Sequence, residues 1–534
     1  VVVVAYGTAR KKDLTGSIST VDNKTLADQA QGSITRMLEG QVAGLQTASL
    51  DGQPGMDMGI RIRGIGTKTA NNSNALIIID GAPALEGTQV LSSLNSKDIE
   101  SITVLKDAAS TALYGSRGAN GVVLVTTKSG KAGKTKVSFE ARMGINAIGA
   151  NAKFDKIGDG GVSELYETQW LAIYNAVYYG YASGDDKAAY VGNDTASRQF
   201  ASAHLFNYTG STSKFTGTNG LMNQLPYTLS GMNVTSTGSL GDDGQITAST
   251  KSGTLSGAFL VNTDGKINPQ AKLLYSGSTL DEELITNRFR QEYVVSASGG
   301  SDKVDYHLSL SYLDDPSYIT WSSFDRYTAR ANVNAQITDW LKAGAKFSYT
   351  NRKTNSQATR WGRNPGYVTQ NVFTWVNLAT SLNQLYARNA DGSFVKDGDG
   401  NRVILKRYGA ATVNATTQEN ALGYVGTQTA YNLPLLFSQA HDTQAYSDMV
   451  MNGYLRASFL KYFTAEANIT HNVTSGLRTR FYNSESASGF VGASMGSAIW
   501  KSQEKYSTVT LQQLVNFNRD IDKHHVDALV GHEY

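Results

Sequence analysis

Tyr327-Thr328-Ala329-Arg330-Ala331-Asn332-Val333-Asn334-Ala335-Gln336-Ile337, followed after Thr338-Asp339-Trp340 by Leu341-Lys342-Ala343-Gly344-Ala345-Lys346-Phe347-Ser348-Tyr349-Thr350, decides the fold. Apolar and polar residues alternate for about ten positions on each side of a short turn, the length of a barrel strand. Side chains of a strand point alternately to its two faces, so this hairpin has one apolar face and one face of Thr, Arg, Asn, Lys and Ser. The same period runs through Val137-Ser138-Phe139-Glu140-Ala141-Arg142-Met143, through Asp305 to Tyr312, and through Phe463 to Thr470. A soluble β-sandwich alternates as well, but its strands average about 5–6 residues. The longer runs here, with Ala and Gly mixed among Val and Leu on the apolar face, suit contact with lipid.

The connections are lopsided. Short turns occur at Thr338-Asp339-Trp340 and Leu460-Lys461-Tyr462, whereas long excursions fall at residues 147–288, 353–446 and 476–503. Short turns at one end and long loops at the other describe an outer-membrane β-barrel, whose strands of about 10 residues, tilted near 40°, cross an apolar band of roughly 25 Å. Tyr312, Tyr327, Trp340 and Tyr349 at strand ends fit interfacial girdles. About nine strands are legible, whereas such barrels usually carry an even number. Val526 to Tyr534 stops as a strand forms, so the expectation is an incomplete barrel whose C-terminal half lies beyond this sequence.

Composition agrees. The 534 residues include 53 Gly, 28 Tyr, 17 Phe, 7 Pro and no Cys. Extended structure with polar turns fits that usage, and without Cys there are no disulfides or thiolate metal sites. Net charge is +3 and mean hydropathy −0.30. There is no dense basic stripe for nucleic acid and no apolar run of the roughly 18 residues a spanning helix needs. The chain opens on Val1-Val2-Val3-Val4 without a basic segment or cleavage site, which with a barrel points to a processed chain whose start lies upstream.

Residues 1–134 read differently, as a compact α/β domain. Met58 to Gly64 alternates like a strand; Ala75-Leu76-Ile77-Ile78-Ile79, ended by the turn signal Asp80-Gly81, reads as a buried one. Ser101 to Leu105 and Gly121 to Thr127 add two more. Helices are expected over Ser33 to Glu39, with Gly40 near its end, and over Asp107 to Tyr114, stopped by Gly115. Gly64, Gly81, Gly115, Gly118 and Gly121 are expected in tight turns needing positive φ. No GxxxxGK[ST] match occurs.

Seven stretches, in this order and spacing, resemble SusC/RagA-type TonB-dependent transporters: Val1–Thr8 (VVVVAYGT), Lys12–Ser17 (KDLTGS), Leu38–Leu45 (LEGQVAGL), Ile60–Gly64 (IRIRG), Ile78–Ala82 (IIDGA), Asp98–Ala109 (DIESITVLKDAA) and Ala112–Lys128 (ALYGSRGANGVVLVTTK). The resemblance implies a plug (9–134) inside the lumen of an outer-membrane barrel (135–534 being its first portion), with about 22 strands in the full protein. It further implies a non-enzymatic importer of oligosaccharides or peptides, without cofactor, acting with a SusD-like lipoprotein lid and able to form a dimer of such pairs. Residues 1–8 then hold a remnant of the TonB box and a linker. Val1, Val2, Val3, Val4 and Ala5 could add as a strand to the sheet edge of TonB; read without the family, they are an ordinary first strand.

Arg61 and Arg63, two apart, share one strand face. In such transporters plug arginines pair with glutamates of the wall, and Glu140 and Glu466, on lumen-facing positions, are the candidates; Arg117 is a similar case. Trp170, Tyr178, Tyr179, Tyr181, Trp361, Tyr367, Phe373 and Trp375 lie in the loops, where Trp361, Tyr367 and Trp375 are candidates for stacking on a ligand, the other reading being loop packing. Asp397, Asp399 and Asn401 have calcium-like spacing but lack the closing Glu; an exposed turn fits better. His524-His525 point to opposite strand faces, and no catalytic grouping emerges. The alternatives are uptake of a metal chelate or vitamin on the same fold, and a secreted β-rich adhesin or glycan-binding protein.

Overall fold

The computed structural model describes residues 2–4, 7–9, 17–23, 33–48, 53–55, 59–64, 73–84, 87–149, 162–181, 189–203, 205, 227–229, 238–240, 246–248, 258–273, 283–357, 386, 393–394, 396–402, 440–482, 498–522 and 524–534. Val1, Ala5, Trp361, Tyr367, Phe373 and Trp375 lie outside them. Among the described residues β1 (Val2–Val4) and β2 (Gly7–Ala9) form a hairpin. Then come β3 (Ile18–Asp22), β4 (Leu45–Ala48), β5 (Gly59–Ile62), β6 (Leu76–Ile79), β7 (Ala82–Pro83), β8 (Ile99–Leu105) and β9 (Val122–Thr127). Strands β3-β8-β9-β6-β7 make one sheet in that order, parallel between β6 and β9 and antiparallel elsewhere, while β4 pairs with β5.

The apolar runs explain this plug sheet, because both of its faces are covered. Ile77, Val104, Val123 and Val125 pack on Ile34, Met37, Leu38, Ile60 and Leu91, while Ile78, Leu105, Val122 and Leu124 fill a second cluster on the opposite face. A strand buried on both sides has no polar face, hence the continuous Ile-Ile-Ile. The helices are shorter than the sequence predicts, Ile34–Met37 and Ala108–Thr111. The second is capped by Asp107, which accepts from the Ser110 amide at 3.0 Å, and passes into a 3₁₀ turn over Ala112–Gly118 that kinks at Gly115. Gly64, Gly81, Gly115 and Gly121 have positive φ as expected. Gly118 does not; it is small because a Cβ there would stand 2.9 Å from the Thr111 carbonyl.

The wall starts at β10 (Gly133–Asn146). Four short strands, β11 (Tyr227–Thr228), β12 (Gly238–Leu240), β13 (Ile246–Ala248) and β14 (Lys272–Leu273), lie in the long excursion after it. The wall resumes with β15 (Arg288–Gly300), β16 (Val304–Pro316), β17 (Ser323–Gln336), β18 (Leu341–Gln357), β19 (Ala440–Phe459), β20 (Phe463–Tyr482), β21 (Ala498–Ile521) and β22 (His524–Glu533). Among the described residues β10 and β15 to β22 form one nine-stranded antiparallel meander, open at β10 and β22, which is part of a barrel. Strands β18 to β21 run past the predicted loop limits at residues 353, 446, 476 and 503, so the pairing continues well beyond one membrane thickness.

Register builds the belt. Val137, Ala297, Leu308, Ala331, Phe347 and Met451 stand opposite one another across successive strands, one row of the outer face. Val137, Leu308 and Phe347 are exposed there. Tyr312 and Tyr327 pack with ring centroids 4.7 Å apart, tilted by 31°, at the long-loop end of this face. Phe463 packs on Phe459 and Phe517 at 5.7 and 5.0 Å near the short turns, where Trp340 is exposed. Tyr327 to Ile337 spans about 25 Å at ~3.3 Å per residue and ~40° tilt, one hydrocarbon thickness. Among the described residues no helix is long and apolar enough to cross a membrane. In the three-residue turn Leu460-Lys461-Tyr462, between the paired Phe459 and Phe463, Leu460 and Lys461 have positive φ, 47° and 63°.

Leu308 faces outward at mid-band. Replacing it with lysine is expected to lower unfolding stability in a bilayer by about 2–4 kcal/mol, read by urea titration in lipid vesicles.

Candidate functional site

The polar face of the wall lies against the plug and holds it. Arg326 of β17 donates through Nη1 to the carbonyls of Ser92 and Leu94 at 2.9 and 2.7 Å. Thr350 of β18 donates to the Ser93 carbonyl at 2.9 Å, and Arg352 to Ser92 Oγ at 3.2 Å. These acceptors lie at the end of the 3₁₀ turn Gly87–Ser93, whose last carbonyls have no partner within the turn. Asn332 donates to the Lys128 carbonyl at 2.6 Å, Asn472 to that of Pro83 at 3.3 Å. Gly130 lies against the Tyr306 backbone so closely that a Cβ would collide with it.

At the centre are two plug carboxylates. Asp80, at the turn after β6, lies 3.1 Å from Lys346 Nζ and 3.7 Å from Arg330 Nη1. Asp98, in the turn before β8, lies 3.8 Å from Arg330 Nε and 3.9 Å from His307 Nε2. The Arg330 and Asp98 side chains are both only 3 % exposed. Burial alone would raise the Asp80 carboxyl; Lys346, Arg330 and the bonds from Thr127 outweigh it and hold it below the ordinary carboxylate range. Asp98 is lowered in the same way, burial being outweighed by His307, Arg330 and Ser309. A cavity of about 20 Å³ borders this cluster, lined in part by Asp80, Lys346, Asn452 and Thr470, with room for about one water.

The polarity of this interface is mixed: two pairs run from a plug cation to a wall glutamate as expected, each involving one expected residue, while the buried central pairs run from wall cations to plug carboxylates. Glu140 does bond a plug residue, but that residue is Lys97, at 2.8 Å, and it shares Glu140 with Arg142 of its own strand. Glu466 bonds Arg456 and Asn468 within the wall, at 2.5 and 2.9 Å. Arg61 and Arg63 do not share a face, because β5 ends at Ile62 and Arg63 turns away with φ 57°. Arg61 is half-buried opposite Gln46 of β4, and Arg63 is exposed. Arg117 donates to Glu533 of β22 at 3.1 Å. The wall supplies most of the buried cations and the plug supplies carboxylates and carbonyls. The signal was present in the sequence: lumen-facing positions of β17 and β18 carry Arg and Lys without acids, so a partner had to come from elsewhere.

Other candidates settle as structure. Asp397 accepts from the amides of Asp399 and Asn401 at 3.0 and 2.8 Å, a self-satisfied turn, and the described residues hold no group of acidic or His side chains able to take a metal. Trp170 is buried on the helix Val162–Tyr178 and donates to Ser202 at 2.9 Å; it is loop core. Tyr179 and Tyr181, farther along, are exposed. Val2–Val4 pairs with Gly7–Ala9 and, among the described strands, with no other.

Replacing Arg330 with methionine leaves Asp98 buried beside a neutral chain. The expected cost to plug seating is about 3–5 kcal/mol, read as lost hydrogen-exchange protection in β8 and β9. The two lowered carboxyls also set a pH dependence. Their contribution is complete above about 3.9, the unfolded value, and is lost as pH falls through their lower folded values. Exchange protection, corrected for intrinsic rates, is expected to stay flat from neutral pH to about 4 and to fall only below it.

Residues 10–122 match the family model described as TonB-dependent Receptor Plug Domain. The TonB-dependent receptor P26 of Formosa agariphila is 27% identical over 352 residues, 66% of this chain and 26% of that protein. The TonB-dependent receptor SusC of Bacteroides thetaiotaomicron is 34% identical over 238 residues, 43% of this chain and 22% of that protein. The chain thus covers about a quarter of the length of these curated relatives. The RagAB peptide importer in its open-open state shares the fold, with a TM-score of 0.64 at 21% identity, over 100% of this chain and 48% of that one. Residues 10–122 thus match a TonB-dependent receptor plug domain, and the chain is similar to SusC-type TonB-dependent receptors over that plug and part of a barrel wall.

Proposed function

We propose that the chain belongs to an outer-membrane importer that takes up oligosaccharides, or peptides, at the expense of energy delivered by TonB. One observation carries the reading: a folded plug is held by polar contacts on the inner face of a wall that is apolar outside and polar inside. Such a lumen passes nothing of substrate size until the plug is remodelled, so transport needs work from outside the membrane. TonB, bound in the periplasm, supplies it by pulling on the N-terminal segment. The substrate binds from outside between plug, loops and a SusD-like lid, in keeping with the similarity to SusC, and no chemical conversion is involved. Uptake of a metal chelate or vitamin uses the same machinery; a secreted adhesin would instead stay soluble without detergent, at odds with a belt of exposed Val137, Leu308 and Phe347.

TonB recognition is assigned to Val1–Ala5. Backbone hydrogen bonds carry affinity when a strand adds to a sheet edge, and a hairpin strand such as Val2–Val4 has a second edge to offer. Replacing Val3 with proline removes an amide donor and fixes φ. Uptake by the full-length transporter is then expected to fall to the level of a strain lacking TonB, with substrate binding to the purified protein unchanged. Calorimetry of the transporter with its lid against glycans, peptides and iron chelates tests the cargo. Binding of glycans or peptides supports the reading, and binding of chelates alone sinks it.

A further inference from the structure

By the period-two alternation, the lumen faces of β17 and β18 carry Arg326, Arg330, Lys342, Lys346 and Arg352 and no carboxylate. Arg352 is balanced within the wall by Asp448, at 3.0 Å. Arg330 and Lys346 are not: among the described residues their acidic partners are Asp80 and Asp98 of the plug. Lys342, farther toward the short turns, makes no ion pair among the described residues. Arg330 opposes Ser348 and Lys346 opposes Asn332, so the two cations are diagonal neighbours on one face. Any movement that carries Asp80 and Asp98 away uncovers them together, and a buried cation stripped of its counter-charge is strongly disfavoured.

We propose that this stripe is a guide for anionic groups on the imported molecule, and that the cargo is a carboxylate-bearing, uronate-type oligosaccharide. The inference rests on the importer reading above. As the plug withdraws, cargo carboxylates replace Asp80 and Asp98 on Arg330 and Lys346. One carboxylate exchanges for another at little cost, because charge and hydrogen-bond geometry are preserved. A neutral oligomer offers hydroxyls only, which leave the cations uncompensated. The surroundings favour a saccharide over a peptide: Asn332, Asn334, Asn452 and Asn472 flank the stripe on the same face and match sugar hydroxyls, with little apolar surface for peptide side chains. In the closed state the plug's carboxylates occupy the cargo's places, so the same cations serve latch and path.

The test is uptake by cells carrying the full-length transporter. The probes are a panel of uronate oligosaccharides, the same compounds with their carboxyls methyl-esterified, and acidic peptides of equal charge. TonB-dependent uptake of the acids is expected to exceed that of the esters about tenfold, the worth of one charge-assisted contact. Lys342→Met, which leaves the Asp80 and Asp98 pairs in place, should shrink that ratio about threefold. The quadruple variant Arg330→Gln, Lys346→Met, Asp80→Asn, Asp98→Asn removes both sides of each pair, so the plug has no uncompensated charge; the preference for acid over ester should then fall to the roughly threefold share that Lys342 supplies. Equal uptake of acid and ester by the unmodified transporter, or a preference indifferent to Lys342→Met, overturns the proposal. So does entry of acidic peptides in place of the uronates. TonB-dependent entry of neutral oligomers alone overturns it while leaving the importer reading standing. Absence of any TonB-dependent entry overturns both.

Discussion

A cation buried inside a barrel must find its counter-charge inside the barrel, and among the described residues Arg330 meets that requirement through the plug. Its guanidinium lies between Asp80 and Asp98, with nearly no solvent exposure, on a strand whose opposite face is given to hydrocarbon. The wall has no choice about this division. A strand that crosses lipid must be apolar on one side, so its polar residues collect on the other, and closing the sheet gathers them into one enclosed space. Charges in that space are too costly to leave unmatched. Plug and wall are therefore two parts of one electrostatic unit, and the plug's acids are placed by what the wall presents.

The contacts across this boundary differ from those inside the plug. Within the plug, Ile77, Ile78, Val123 and Leu124 are sealed in dry clusters. Across the boundary, the partners are guanidinium groups, amides and hydroxyls meeting carbonyls and carboxylates. A neutral hydrogen bond of that kind contributes only about 0.5–1.5 kcal/mol net, and one to a charged group about 1.5–3, because water can take either side of it. Burial of a single large aliphatic side chain contributes about 1.5–3 kcal/mol and has no such substitute. The interface is thus firm while dry and replaceable once water enters, whereas the plug's sheet is not. Under the proposed import cycle, a stopper that holds and later moves needs that contrast.

Much of this architecture can be read from the residues, and the limits of that reading are physical. The alternation from Tyr327 to Thr350 states the wall, its turn and its lumen face, because a period of two leaves no freedom about which side a residue takes. Ile77 to Ile79 states a strand buried on both faces. Pairing across the lumen is not written locally. Arg61 and Arg63 looked like one-faced partners for Glu140 and Glu466, but a single left-handed residue at Arg63 ended the strand and separated them. Asp80 read as punctuation before Gly81, and Asp98 as part of a motif; neither carries a mark of its partner. Those acids come together with Arg330 and Lys346 only through contacts far apart in the chain.

Asp80 shows why the plug's fold and its seating are hard to separate. It adopts φ 49°, a left-handed conformation that an aspartate tolerates better than most residues. Its carboxylate accepts from the Thr127 amide at 3.0 Å and from Thr127 Oγ1 at 2.6 Å, tying the end of β6 to the end of its parallel neighbour β9. The same carboxylate faces Lys346 of the wall. One group thus closes the sheet's end and docks the sheet. Asp98 is arranged differently: its own carbonyl accepts the Lys128 amide at 2.8 Å, so its backbone does the local tying and its side chain is left for Arg330 and His307. Loss of the carboxylate at residue 98 weakens seating alone, whereas loss at residue 80 also loosens the parallel pair on which the sheet is built. The plug's hold on the wall therefore has one contact built into its fold and one laid over it, and a pull that spares the sheet must release the second before it strains the first.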